Sequence, residues 1–261
     1  MILPLPGAEG QPTSVLRHGN AMLRPSGPWT ATVHALLNHL EEVGFIGSPR
    51  VIGDGYDEQG RDVVTYVDGD FVHPHAWSDE GVWHAGRLLR DLHDATATFQ
   101  PPPNASWQPW PFHSDAPEAI ISHRDAGPWN TVARDGIPIA YIDWISAGPT
   151  DRLDEIAATA WWNAQLHDDD IAMRHNLPSA PTRANQLRLF LDGYGLAIND
   201  RSDFVARMIE YAIRDSAAEA IKDHVTPEST GITALWAVAW RARSAAWMLR
   251  HRSLLQRAIT D

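Results

Sequence analysis

Residues 121–144 read ISHRDAGPWNTVARDGIPIAYIDW: a His, an Asp and an Asn at close spacing, then a hydrophobic run that ends on a second Asp. Asp125 lies two residues after His123, and Asn130 lies five residues after Asp125. A β-rich hairpin about Asp135-Gly136 then brings the chain back to Asp143. A loop of that length can turn a carboxylate and an amide oxygen towards one point. Asn130 and Asp143 could share a hard cation such as Mg2+, which favours oxygen ligands and completes its shell with water and phosphate. Asp125 would then be free to take a proton from an attacking hydroxyl. A base for the alcohol, metal ligands for nucleotide phosphates and little covalent work by the protein is the logic of phosphoryl transfer. A polar loop that merely precedes a strand explains His-x-Asp, but not the Asn and the Ile-Asp-Trp at these offsets.

The rest of the composition is compatible with that chemistry. The chain has 261 residues and is 44% hydrophobic, enough for one large domain or two lobes with a real core. It has no Cys, which excludes disulfides, thiolate metal sites and a cysteine nucleophile. The N-terminus lacks a basic stretch followed by a long apolar run, and no segment approaches the ~20 apolar residues of a membrane helix. A cytoplasmic protein with no membrane partner is expected, as monomer or homodimer. The formal charge of −12 argues against a nucleic-acid partner. It suits a cationic small molecule drawn into an acidic cleft, although acidity also serves solubility. Lys222 is the only lysine, so a cationic role near the N-terminus must fall to another side chain.

Along the chain, residues 13–24 predict two strands about Gly19-Asn20. Thr30 can then cap a helix carrying Val33, Leu36, Leu37 and Leu40 at helical spacing, which Gly44 ends. A second hairpin follows over residues 49–70. From residue 78 the periodicity is helical, behind an acidic first turn. A Pro-rich linker at 100–112 leads to the quoted stretch, with β-like runs at 130–133 and 137–144. After Pro149 helices are predicted over 154–167, 181–194, 202–223 and 231–258.

SHRDAGPWNTV with YIDW resembles the catalytic and metal loops of the aminoglycoside phosphotransferase family, small-molecule kinases with the protein-kinase-like fold. GRLLRDLHDAT, ahead of the loop, and SAGPTDRLDEIAATAW, after it, are similar to the flanking segments of that family. The resemblance implies an α+β bilobal fold, with a small N-terminal antiparallel sheet lobe carrying one helix over 1–69, a hinge near 65–69, and a larger, mainly helical lobe over 70–261. It implies Asp125 as catalytic base, His123 as a support for the loop, and Asn130 and Asp143 as Mg2+ ligands. Glu155, with Asp154 as the other candidate, stands where the family often has an Asp bracing the loop. The implied activity moves a phosphoryl group of ATP or GTP onto a hydroxyl of a small molecule. Arg124 reads as a neighbouring charge and Trp129 as a packing residue.

The N-terminal lobe departs from the family pattern. Gly7 and Gly10 sit where a turn over the phosphates belongs, without G-x-G-x-x-G. Arg24 occupies the position of the phosphate-holding Lys, and His34 that of its helix Glu. Arg can hold phosphate bidentately but is wider than Lys and always charged, and an Arg–His pair cannot be the usual ion pair. Backbone groups near Tyr66 and Val67 would take the nucleotide base. The acidic run Asp168, Asp169 and Asp170 reads as a helix cap or solvated loop, or as a contact for a cationic substrate. Two further readings stay open: a metabolic kinase of a sugar or amino alcohol, and a nucleotide-binding protein with weak or lost turnover, motivated by Arg24 and His34.

Overall fold

The structure, a computed structural model, describes residues 2–6 and 12–261, with side chains from residue 15 onward. The first lobe is a five-stranded antiparallel sheet made of β1 (Ile2–Pro6), β2 (Pro12–His18), β3 (Ala21–Arg24), β4 (Val51–Tyr56) and β5 (Asp62–Thr65), in the order β1-β2-β3-β5-β4. The turn at Gly19-Asn20 joins β2 to β3 as predicted, with Gly19 at φ 63°, a conformation Gly adopts without steric cost. Strand β1 has no counterpart in the sequence reading, since two prolines in five residues mask it. Helix α1 (Thr30–Glu42) follows β3 and buries Val33, Leu36, Leu37 and Leu40. Thr30 is its first residue rather than its cap: its hydroxyl accepts from the Gly27 N–H at 2.9 Å.

The second lobe opens with α2 (Asp79–Thr96), whose N-terminus is capped by the Ser78 hydroxyl. Strands β6 (Ile120–Ser122), β7 (Thr131–Arg134), β8 (Ile137–Tyr141) and β9 (Gly148–Thr150) form two ribbons, β6 with β9 and β7 with β8. Helices α3 (Arg152–Asn163), α4 (Asp169–Arg174), α5 (Ala180–Tyr194), α6 (Phe204–Lys222), α7 (Ile232–Arg250) and α8 (Arg252–Thr260) complete it. The single helix expected over 231–258 is two, divided at His251. There the imidazole Nδ1 lies 3.0 Å from the Trp247 carbonyl and the ring stacks on the Trp247 indole. Among the described residues no helix is long and apolar enough to cross a membrane.

Two ties between the lobes position the site. Asp70, just past the first sheet, exchanges paired backbone hydrogen bonds of 2.8 Å with Ala133 on β7. The Tyr141 N–H at the end of β8 donates to the Gly47 carbonyl at 2.9 Å. A Cβ on Gly69 would run into the Ala133 carbonyl, so this passage needs Gly. The β7–β8 ribbon is therefore fastened to the sheet lobe at both its ends. The loops that flank it, with Asn130 before and Asp143 after, face the sheet lobe from a fixed distance.

Candidate active site

Backbone geometry first gives the loop after β6 its shape. Arg124 adopts a left-handed conformation, φ 63°, and a 3-10 turn at Pro128–Asn130 folds the chain back. Between them the Asp125 carboxylate is held at both oxygens. The Trp129 Nε1–H donates to Oδ1 at 3.1 Å, and the Asn130 Nδ2–H donates to Oδ2 at 2.8 Å and to the Asp125 carbonyl at 3.0 Å. Anchoring the amide nitrogen leaves Asn130 Oδ1 as its free acceptor. Burial pushes the Asp125 carboxyl up to about 7; the Trp129 hydrogen bond opposes this, and the negative charge of Asp143 adds to it.

His123 is fully buried, and both its nitrogens are engaged: Nε2 with the Ile142 carbonyl at 2.8 Å, Nδ1 with the Asp125 N–H at 3.3 Å. The second bond makes Nδ1 the acceptor and Nε2 the protonated nitrogen. Burial lowers its pKa to about 4, so the ring is neutral. It wedges the loop against Trp144 and carries no proton to a substrate.

Arg124 is more than the neighbouring charge its sequence position suggests. Its guanidinium is wholly buried and donates to the carbonyls of Ser146, Ala147 and Gln108, clamping the segment after β8 and the Pro-rich linker against the loop. From α3, Glu155 Oε1 accepts from the Ser122 hydroxyl at 2.8 Å and the Arg124 N–H at 2.9 Å. Asp154 instead meets Arg207 and Arg214, so of the two candidates Glu155 is the one in contact with the loop. Ser122 is held in turn by His93, and His93 by the Tyr194 hydroxyl.

Across the cleft, Asp143 also has left-handed backbone, φ 60° and ψ 60°, which turns its half-exposed carboxylate towards the sheet lobe. Arg24 Nη1 lies 3.5 Å from its Oδ1. Arg24 does have a carboxylate partner, but that partner is Asp62 on β5 and not a residue of α1. Both Nε and Nη2 of Arg24 donate to Asp62 Oδ2, at 2.9 and 2.6 Å, while His34 Nε2 lies 2.8 Å from Oδ1. Burial raises the Asp62 carboxyl, but the hydrogen bond from His34 and the charge of Arg24 outweigh it and hold the pKa below the ordinary value. Gly55 makes room for the His34 ring, which a Cβ would strike. The pair that looked broken is thus a three-residue cluster. Arg24 and Asp62 are direct cross-strand partners, so aligning the two predicted hairpins could have found it.

The other expected positions fall into three groups. Gly7 and Gly10 lie outside the described residues. The Tyr66 N–H already donates to the Asn20 carbonyl at 2.7 Å, and its ring lies under the Arg17 guanidinium, which leaves the Tyr66 carbonyl and Val67 for a nucleotide base. Asp168, Asp169 and Asp170 do not line the cleft. Asp168 caps α4 and pairs with Arg243, Asp170 pairs with Arg243 and Arg174, and Asp169 accepts from the Trp247 indole. The cleft itself is a cavity of about 1020 Å³ in the helical lobe, with Asp125 in its wall. Trp129 lines it too, while packing on Trp162 and His73, so it serves the site as well as the core.

Among the described residues no cluster of three or more His, Asp or Glu gathers to hold a metal. Asn130 and Asp143 offer two oxygen donors, which fits Mg2+, a cation that draws the rest of its shell from water and phosphate. No protein-family model matches the chain. Solved structures with the same fold include an amicoumacin kinase (TM-score 0.66, 13% identity, covering 94% of this chain and 88% of that one). They include a microcompartment-associated aminopropanol kinase (0.65, 14%, 99% and 94%) and a spectinomycin phosphotransferase (0.57, 9%, 98% and 93%). At these identities the likeness establishes the fold, that of the aminoglycoside phosphotransferases and related small-molecule kinases. In sequence, the chain is 49% identical over 252 residues to the trifolitoxin immunity protein of Rhizobium leguminosarum bv. trifolii, covering 96% of both chains. With that identity over nearly its whole length, the chain belongs to the family of the trifolitoxin immunity protein.

Proposed function

We propose that the chain transfers the γ-phosphoryl group of ATP or GTP to a hydroxyl of a small molecule, and that the molecule is a toxin disarmed by the modification. The observation that carries the first half is Asp125: a carboxylate fixed at both oxygens, with its pKa raised to about 7, in the wall of a cavity large enough for a drug-sized compound. The second half draws on the relative named for immunity to trifolitoxin.

In this reading the acceptor lies in the cavity with its hydroxyl against Asp125. The O–H bond breaks as Asp125 takes the proton, a new O–P bond forms to the γ-phosphorus, and the bond from that phosphorus to the β-phosphate oxygen breaks. Arg24 holds phosphate oxygens from the sheet lobe, and Asp62 fixes its guanidinium from behind. His123, Arg124 and Glu155 keep the loop rigid, so Asp125 needs no reorganisation to meet the hydroxyl. Asn130 and Asp143 would hold Mg2+, which supplies charge neutralisation on the phosphates. Asp62 also weighs against lost turnover, because the missing helix carboxylate has a replacement.

The test has two arms. The wild-type chain and Asp125→Asn are expressed in trifolitoxin-sensitive cells, and the purified proteins are incubated with toxin, Mg2+ and either ATP or GTP. Protection and a phosphorylated product are expected with the wild type and lost in the variant. Protection that survives Asp125→Asn would refute the reading.

A further inference from the structure

The cavity beside Asp125 is walled by rings more than by free charge. Trp110, Trp129, Trp162, Trp236 and Trp240 all line it, five of the chain's twelve tryptophans. Its carboxylates other than Asp125 are already paired. Arg241 Nε binds Asp215, and its Nη2 lies 3.6 Å from Glu219. Lys222 Nζ lies 3.1 Å from the same Glu219 oxygen. Arg241 and Lys222 line the cavity as well, so three carboxylates there face two cations, and the carboxylate without a cation is Asp125. His73 and His167, also in the wall, are made less basic by burial. Apart from Asp125 itself, which the acceptor hydroxyl would occupy, a cationic ligand would find no carboxylate there without a cation already beside it. Three wall residues carry polar atoms without a partner among the described residues: the Trp162 Nε1 donor and the Gln108 and Gln165 Oε1 acceptors, with Trp162 and Gln165 nearly fully buried.

We propose that the acceptor is an uncharged, ring-bearing alcohol, its rings against the indoles of the cavity and its hydroxyl at Asp125, rather than the cationic compound the net charge suggests. Such a molecule gains from aromatic contact and loses no hydration of a charge on entering. The hydroxyl end of the proposal rests on the phosphotransferase reading; the chemical class rests on the walls.

Calorimetric titration without nucleotide tests the class separately. The probes are indole-3-ethanol, phenyl β-glucoside and the capped tripeptide acetyl-Phe-Ser-Tyr-amide, against gentamicin and choline as cationic alcohols. At least one ring compound should bind tenfold or more tighter than either cation, with an affinity unchanged between low and high salt, since no ion pair is formed. Trp236→Ala should weaken it about tenfold. Trp236 is 41% exposed on α7, so the variant should fold, and its melting temperature checks this. Tighter binding of gentamicin or choline, an affinity that collapses with salt, or no binding by any ring compound overturns the proposal. Binding of a ring compound without phosphate transfer on adding ATP or GTP leaves the class standing and refutes the phosphotransferase reading. Transfer to gentamicin alone does the reverse.

Discussion

Removing Asp62 should unfold much of what Arg24 depends on. Asp62 is 4% exposed, and it alone accepts from the buried Arg24 guanidinium at two points while also holding His34. Asp62→Ala leaves that guanidinium with only a 3.5 Å approach to Asp143. Stripping one partner from a buried ion pair costs about 3–5 kcal/mol, a large part of the ~5–15 kcal/mol that holds a domain together. Replacing the cluster whole, with Arg24→Met, His34→Leu and Asp62→Leu, should come out near neutral in stability, since well-packed apolar groups can stand in for a buried pair. The two variants therefore separate folding from function. Urea melts should show Asp62→Ala strongly destabilised and the triple variant close to wild type, while calorimetry shows nucleotide binding lost in the triple variant. The pH dependence has a definite sign. Because the folded carboxyl lies below its ordinary 3.8, its contribution is complete above that pH and is lost as the pH falls through the folded value. The gap between wild type and Asp62→Ala should accordingly shrink below pH 3.8. Melts of Asp62→Ala within about 1 kcal/mol of wild type would refute the energetic argument. Undiminished nucleotide affinity in the triple variant would remove Arg24 from the phosphate site.

Three variants of the loop have further expected outcomes. Asp125→Asn should lower kcat by about 10²–10⁴-fold, the contribution of a general base, with nucleotide affinity little changed. The same variant should be more stable than wild type at pH 8: the folded pKa of about 7 lies above the ordinary 3.8, so ionising Asp125 costs stability as pH rises between them, and the gap should close near pH 4. Trp129→Phe removes a hydrogen bond that favours the ionised form, and should move the acidic limb of kcat/KM upward by about one pH unit; an unmoved limb would mean that Asp125 does not set it. Glu155→Ala strips the acceptor from the Ser122 hydroxyl and the Arg124 N–H, costing about 1–3 kcal/mol for each buried donor left unpaired, and should lower kcat with intact nucleotide binding.

How legible each part was depends on how far apart in sequence its partners stand. Asp125, Trp129 and Asn130 meet within a single loop, and a hairpin of fixed length returns Asp143 beside them. Spacing alone could therefore suggest the arrangement. The two hairpins of the sheet lobe and most helices of the second lobe were legible for the same reason, because turn residues and periodicity are local. Asp62 was missed because its meaning lies in a residue 38 positions away, reached only through the pairing of β3 with β5. Arg124 was misread because a charge next to a catalytic loop looks like solvent-facing chemistry, whereas its left-handed backbone sends the guanidinium inward to three carbonyls.

Of the two readings open for the acidic run at 168–170, the cap is the one met at Asp168 on α4, and the pairing of the run traces to one helix. Carboxylates are countable in a sequence, but whether they are free depends on which cations reach them. On α7, Arg241 and Arg243 are two residues apart, so they point about 200° apart around the helix axis. Arg243 reaches Asp168 and Asp170 by α4, while Arg241 reaches Asp215 and Glu219 on the cavity side. Trp236 and Trp240, four residues apart and so on one face, line that same cavity. A single helix thus neutralises acidic groups on two sides of itself and presents indoles to the space between α6 and the loop that carries Asp125. A chain of net charge −12 can in this way carry a cleft whose selectivity comes from rings.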